Sequence, residues 1–400
     1  MKVLQVNCVY RKGSTGKIVY DLHRQLVDEG IASVVCYGRG ERMREPDVYK
    51  TCPEVLAKWN NLLSRFTGMM YGGCYISTRQ LISRIKKEKP DIVHLQCING
   101  YFVNIYRLIS WLKKHHIRTV LTLHAEFMHT GNCGHALDCN KWESGCGGCP
   151  RVRTEMKSLL FDRTHHAWEK MRRAFDGFSE LKITSVSPWL MKRAECSPIL
   201  KAHTHMTILN GIDVNVFHPS DPQQLRQKYG LEGKRIVFYA TAVFSAAPNH
   251  IKGGRFVLEL AEEMREEEIV FLIAAGNCDS SVTFPENVVF LGNISDQNLL
   301  AQYYSLADVT LLTSKRETFS MPVAESLCCG TPVVGFEAGA PEQIALPQYS
   351  RFVSYGDTVA LKAAVEEAFL MKKPEISTVA AKKYAKEVAA KKYMELYYSW

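Results

Sequence analysis

The chain has 400 residues, 46% of them apolar and 23% charged, enough for two globular domains of ordinary size. No apolar run reaches the ~18 residues of a membrane span, and Met1 leads straight into a strand pattern rather than a signal peptide, so a cytoplasmic protein is expected. The net charge of +9 is uneven: residues 1–200 carry 31 Lys and Arg against 18 Asp and Glu, and residues 201–400 carry 19 against 23. A basic first half suits an anionic partner, whether nucleic acid, a membrane surface or a phosphorylated substrate; simple unevenness of charge is the other reading. Thirteen cysteines, an odd number without an export signal, read as mostly reduced thiols rather than a disulfide framework.

The first strand pattern covers 2–8 and runs into RKGSTGKIVYDL, where a helix is expected over 17–29. GSTGK looks like an ATP-binding P-loop, but that pattern needs glycine where Arg11 stands and a hydroxyl where Ile18 stands. What remains is a turn, Gly13, Ser14, Thr15 and Gly16, before a helix N-terminus. Free N–H groups and the helix dipole there suit an anion. Strands follow at 32–37, 91–95, 118–123 and 182–186, with helices between them, among others at 79–87 and 102–115. The alternation argues for parallel strands joined by crossover helices.

After the strand at 118–123, the insert HTGNCGHALDCNKWESGCGGCPR holds Cys133, Cys139, Cys146 and Cys149. Its C-x2-C resembles half of a zinc site, which the other two cysteines would complete; free thiols or redox-labile disulfides are the competing reading. In neither case does the loop carry the catalytic step; it shapes one side of the ligand cleft. The stretch 152–178, rich in Arg and aromatic residues, suits a membrane surface, or else is a plain solvated amphipathic helix.

The block THMTILNGIDVNVFHPSD (204–221) separates the halves. Beyond it, strands are expected at 235–240, 269–274, 288–291, 309–312 and 332–334. The fold class is therefore α/β: two Rossmann-like, doubly wound domains facing across a cleft, with ligands at the carboxyl ends of the strands. The N-terminal domain covers 1–205 with the cysteine-rich insert at 129–150, and the C-terminal domain covers 206–375. A helix at 376–400, with Tyr384, Tyr393, Leu396 and Tyr397 on one spacing, either packs back on the first domain or simply ends the second.

The segment KRETFSMPVAESLCCGTPVVGFEAGAPEQI (315–344) is the most informative. Pro322 suits a first helical turn, which leaves Glu317 and Ser320 in the preceding loop and Glu325 within the helix. Backbone N–H groups near Ser320 and Met321 then lie between two carboxylates, suiting phosphate and sugar hydroxyls respectively.

These blocks together resemble the GT-B fold retaining glycosyltransferases of family 4. The resemblance rests on E-x7-E followed by CGTPVV, on ILNGIDVNVF, on PDIVHLQ with NGYF, on VLTLHAE and on GSTGK, and it spans about residues 1–345 in the family's order. It is closer to the bacterial transferases of capsule, exopolysaccharide and O-antigen assembly, including the colanic-acid type. The resemblance implies that the Gly13–Gly16 loop cradles the donor's diphosphate and that Glu317 contacts the transferred sugar. It further implies that Glu325 holds the ribose, that His124 belongs to the sugar site and that Lys252 neutralises the leaving diphosphate. Thr318, Phe319, Ser320 and Met321 complete the donor loop, and Asn99, Gly100, Tyr101 and Glu126 face the acceptor. The family's arginine near the lysine is missing from YATAVFSAAPNHIKGG, with Arg255 or His250 as substitutes. Where relatives read HD, this chain reads His124-Ala125-Glu126, so Glu126 either replaces the aspartate or is idle.

The implied reaction moves a hexose from a nucleotide-sugar, UDP-hexose preferred, to a lipid-linked saccharide, with peripheral attachment to an anionic membrane at its inner face. Cationic groups and helix dipoles stabilise the leaving group, so no metal or other cofactor is required for catalysis. Two alternatives are a GT-B sugar-nucleotide epimerase and a nucleic-acid-binding protein with a four-cysteine metal site. The transferase-like blocks weigh against the first, and the acidic second half against the second, so no nucleic-acid partner is expected.

Overall fold

The run KVLQVN forms β1 (Lys2–Asn7), whose last five residues are buried, and this hydrophobic seam organises the first of two parallel sheets. The computed structural model describes residues 1–371 and 373–400. It divides into one unit of residues 1–209 with 390–400, and a second of residues 210–389.

In the first unit, β1 is followed by β2 (Ala32–Tyr37), β3 (Val48–Lys50), β4 (Ile92–Leu95), β5 (Thr119–Leu123), β6 (Leu181–Ser185) and β7 (Thr204–Thr207). They pair in the order β3-β2-β1-β4-β5-β6-β7, all parallel. The winding reverses between β1 and β4, which makes the carboxyl ends of β1, β4 and β5 the natural place for a ligand. The helices of this unit are α1 (Gly13–Asp28), α2 (Glu54–Thr67), α3 (Tyr75–Glu88), α4 (Ile105–Lys114), α5 (Phe127–Thr130), α6 (Thr164–Phe175) and α7 (Pro188–Cys196).

Helix α3 starts at Tyr75 rather than 79, and two other helix starts depart from the sequence expectation for a visible local reason. The glycine turn is itself the first turn of α1, because the chain before it folds back: Arg11 N–H donates to Gly16 O at 3.0 Å. A Cβ at Gly16 would stand 3.2 Å from both Arg11 N and Val9 Cγ2, so a side chain there would push the fold-back off. Helix α4 starts at Ile105 rather than 102, because Asn104 caps it, its Oδ1 accepting from Arg107 N–H at 3.0 Å.

The second unit holds β8 (Arg235–Phe244), β9 (Ile269–Cys278), β10 (Val288–Gly292), β11 (Val309–Leu312), β12 (Val333–Phe336) and β13 (Ser350–Val353), in the parallel order β10-β9-β8-β11-β12-β13. Its winding reverses between β8 and β11. The helices are α8 (Gln223–Tyr229), α9 (Gly254–Glu263), α10 (Gln297–Leu306), α11 (Met321–Cys328), α12 (Pro341–Ile344), α13 (Thr358–Ala368) and α14 (Pro374–Tyr384), followed by the start of α15 (Lys386–Tyr398).

The expected single tail helix is broken at Ala385, and the ILNGID block explains the break. Ile212 N–H donates to Tyr384 O at 2.7 Å, and Lys386 N–H donates to Ile212 O at 2.9 Å, so Ile212 occupies the gap as a strand would. Gly211 is required there, since a Cβ would lie 2.6 Å from Lys386 Cα. An ion pair, Lys386 Nζ to Asp213 Oδ2 at 2.7 Å, closes the clasp. Beyond it, Tyr393, Leu396 and Tyr397 are buried in the first unit. There Tyr397 OH lies 2.6 Å from His94 Nδ1, and Tyr393 OH lies 3.1 Å from Thr122 Oγ1.

Candidate active site

In the second unit the loop after β8 delivers Lys252. Its carbonyl accepts from Tyr239 OH at 2.7 Å and from Thr313 Oγ1 at 3.0 Å, and Lys315 N–H donates to Ile251 O at 2.8 Å. Gly253, at φ +65°, allows this closure: a Cβ there would sit 2.1 Å from Thr313 O. The Lys252 ammonium reaches Glu317 Oε1 at 2.6 Å, with both side chains partly exposed. Glu317 is held in turn by its own N–H, which donates to Ala338 O at 3.0 Å. Two sequence-predicted residues 65 positions apart thus meet in front of α11.

Ser320 caps α11 at φ +81°, ψ 91°, a strained conformation for a serine. Its buried Oγ has no hydrogen-bond partner among the described residues. The helix N-terminus behind it presents unsatisfied N–H groups and partial positive charge. Thr318 and Met321 flank this turn, whereas the Phe319 side chain is buried in the core. Arg255 is drawn the other way, along α9, within 3.7 Å of Glu259 and over the Phe256 ring. It does not join Lys252.

Beside this loop lies a pocket of about 190 Å³ at the carboxyl ends of β8 and β9. Its β8 and β9 wall is small, with Ala240, Thr241 and Ala242, then Ala274, Ala275 and Gly276, while Ile294, Leu300 and Pro322 line other sides. Glu325 and Tyr304 form its polar end, with Tyr304 OH donating to Glu325 Oε2 at 3.2 Å. Burial pushes the Glu325 carboxyl up to about 7, against the opposing hydrogen bond from Tyr304. Tyr304 is not among the sequence-predicted residues, since in QYYSL it reads as an ordinary core aromatic. The runs of small residues at the ends of β8 and β9 are the signal that points to this pocket.

In the first unit, His124 sits at the end of β5, with Nε2 2.9 Å from Gln96 Oε1. Gln96 Nε2 donates to Gln5 Oε1, so the assigned network puts the proton on His124 Nε2. Burial lowers His124 to about 4, which keeps the ring neutral near pH 7. Gly13, Ser14, Thr15 and Gly16 follow β1, which β4 separates from β5 in the sheet. The loop after β4 is pinned there too: Cys97 Sγ donates to Asn99 Oδ1 at 3.0 Å, and Gly100 O accepts from Arg39 Nη1 at 3.0 Å. Tyr101, at φ +63°, accepts from Asn60 Nδ2 through its carbonyl.

Glu126, expected on the acceptor side, is fully buried. It takes Arg193 Nε at 2.6 Å and Ala136 N–H at 2.8 Å, with His129 Nε2 3.4 Å away. Burial alone would raise its carboxyl, but His129, Arg193 and the Ala136 N–H outweigh that and hold it at about 2. Its work is to anchor the cysteine-rich insert. Cys133, Cys139, Cys146 and Cys149 are separate thiols. Among the described residues no group of three or more His, Cys, Asp or Glu is gathered to hold a metal ion. The loop is tied instead by Arg151 to the His135 and Ala136 carbonyls and by Trp142 Nε1 to Cys139 O.

Two parallel, doubly wound units with the candidate site residues near the switch points define the GT-B class of fold. Sucrose-phosphate synthase from Thermosynechococcus elongatus superposes with a TM-score of 0.65 at 16% identity, covering 100% of this chain and 98% of that one. HepE of Anabaena, in complex with UDP-glucose, superposes with a TM-score of 0.67 at 14% identity, covering 100% of each chain. The model for Glycosyltransferase Family 4 matches residues 15–179, and that for Glycosyl transferases group 1 matches residues 235–370. A putative colanic acid biosynthesis glycosyl transferase, WcaC of Escherichia coli K12, is 23% identical over 94% of this chain and 91% of its own length. An N-acetyl-alpha-D-glucosaminyl L-malate synthase of Bacillus anthracis is 25% identical over 45% of this chain and 48% of its own. The chain is a glycosyltransferase, with a family 4 region in its first unit and a group 1 region in its second. This displaces the epimerase and nucleic-acid-binding alternatives.

Proposed function

We propose that this glycosyltransferase retains anomeric configuration and moves a hexose from a nucleoside diphosphate sugar, UDP-hexose by preference, to a lipid-linked saccharide in bacterial surface polysaccharide assembly. The observation that carries the reading is the Lys252–Glu317 pair, 2.6 Å apart, in front of the α11 N-terminus. Departure of a nucleoside diphosphate leaves negative charge on the phosphates and an oxocarbenium-like sugar. Lys252 and the α11 dipole meet the first, and Glu317 opposes the positive charge on the second. The pocket ending in Glu325 and Tyr304 takes the nucleoside, its small β8 and β9 wall leaving room for the base and its carboxylate accepting ribose hydroxyls. WcaC's putative role in colanic acid biosynthesis and HepE's complex with UDP-glucose support the polysaccharide pathway and the uridine donor.

The lipid-linked acceptor places the enzyme at the inner face of the cytoplasmic membrane, held peripherally. Among the described residues no helix is long and apolar enough to cross a membrane. The reading is tested by a thermal-shift screen against UDP-, GDP-, ADP- and dTDP-hexoses. One nucleotide series should raise the melting temperature with ligand concentration. No shift with any donor would remove the reading.

A further inference from the structure

Helix α2 is built inside out. Its buried residues are Ala57, Asn60 and Ser64, all small or polar. Its large apolar residues, Val55, Trp59, Leu62, Leu63 and Phe66, recur at helical spacing on the other face and are 45 to 68% exposed. A surface helix normally buries such a stripe. A second apolar element adjoins it: the turn carrying Leu159, Leu160 and Phe161, which are 50 to 66% exposed. Leu159 N–H donates to Arg65 O at 2.8 Å, and the Phe161 carbonyl lies so close to Gly68 that a Cβ there would stand 2.7 Å from it. Turn and helix therefore form one surface of the first unit. The neighbouring α6 does not share in it, because Trp168, Met171 and Phe175 turn its apolar side into the core.

We propose that α2 and the 159–161 turn form a bilayer-docking surface that inserts its apolar residues among anionic lipid headgroups. Charge decides between occupants. Lys58 and Arg65 border the apolar stripe on α2, and along the turn Arg153, Lys157 and Arg163 outnumber Glu155, which lies 3.7 Å from Arg151, and Asp162, which accepts from Cys149 N–H and Thr164. The one acid of α2, Glu54, is engaged by Arg39 at 3.0 Å and Lys50 at 3.2 Å. Trp, Phe and Leu rimmed by Lys and Arg is the pattern of an interfacial helix. A second copy of the chain would bring two basic rims together, which costs affinity, and protein interfaces are depleted in lysine. The proposal deepens the reading of a membrane-associated transferase, and its test is independent of the sugar donor.

The full chain is sedimented with phosphatidylcholine vesicles, alone or with about a third phosphatidylglycerol, at low and high salt. Binding is expected only to the anionic vesicles, and it weakens with salt. Trp59→Ser with Leu63→Ser should lower the bound fraction at least about tenfold without lowering the melting temperature, since both side chains are exposed. Lys58→Glu with Lys157→Glu should abolish the preference for anionic lipid. No binding by the unaltered chain would overturn the proposal, as would binding that the Trp59 and Leu63 changes leave intact. A dimer in size-exclusion chromatography that those changes convert to monomer, with vesicle binding unchanged, would assign the face to self-association instead. Failure here leaves the donor screen untouched, and failure of the donor screen leaves this surface untouched.

Discussion

Lys252 Nζ and Glu317 Oε1 lie 2.6 Å apart although β9, β10 and β11 all intervene between them in the chain. The pair is only partly buried, so its contribution to stability is small, about 1 kcal/mol or less. Its position ahead of α11 gives it a different use. Lys252→Ala is expected to lower the transfer rate by about 10²–10³-fold, the scale of losing one preorganised electrostatic group, with little change in melting temperature. Steady-state kinetics beside thermal unfolding checks both halves.

Glu317→Ala should abolish transfer and leave the fold intact, because its backbone hydrogen bond to Ala338 does not depend on the side chain. Normal turnover in that variant would remove Glu317 from the mechanism. The readout is product formation at saturating donor.

Glu325 carries a pH signature. Its carboxyl is raised to about 7, so it ionises as the pH passes that value, and only the carboxylate accepts two ribose hydroxyls. Donor KM is expected to fall as pH rises through 7 and to flatten in Glu325→Gln. Tyr304→Phe removes the hydrogen bond that holds the carboxyl down, which should move the transition to higher pH. The same raised acid destabilises the fold as pH rises from its unfolded value to about 7, since the unfolded chain ionises first.

Buried histidines act in the opposite sense. His94 is lowered to about 3 and His124 to about 4 by burial, so the unfolded chain takes up protons first as the pH falls. Their contribution is present above ~6.5, the ordinary histidine value, and is lost progressively down to about 3. Tyr397→Phe leaves His94 Nδ1 without the hydroxyl 2.6 Å away and should cost about 1–3 kcal/mol, measured by urea unfolding.

The central strands were legible because a parallel sheet covered on both faces needs continuous apolar runs, as in KVLQVN and VTLL. The edge strands β3, β7 and β13 are three or four residues long and partly exposed, so no run marks them. β8 and β9 extend past their expected ends through Thr241–Phe244 and Ala275–Cys278, where small and polar residues hide the strand. Helix α2 carries its apolar residues at helical spacing, but nothing in the sequence tells that this stripe faces out. The pairing of Lys252 with Glu317 came from resemblance, since nothing local in IKGG or KRETFS joins them. Ser320's positive φ and Glu126's burial under Arg193 are tertiary facts with no sequence signal.

The central claim is that Lys252 recognises the diphosphate of the donor. The direct measurement is calorimetric titration of the unaltered chain and of Lys252→Ala with the preferred nucleoside diphosphate and with its phosphate-free nucleoside. The account predicts about ten- to a hundredfold weaker binding of the diphosphate by Lys252→Ala, with nucleoside affinity unchanged. Equal diphosphate affinity in the two proteins would contradict it.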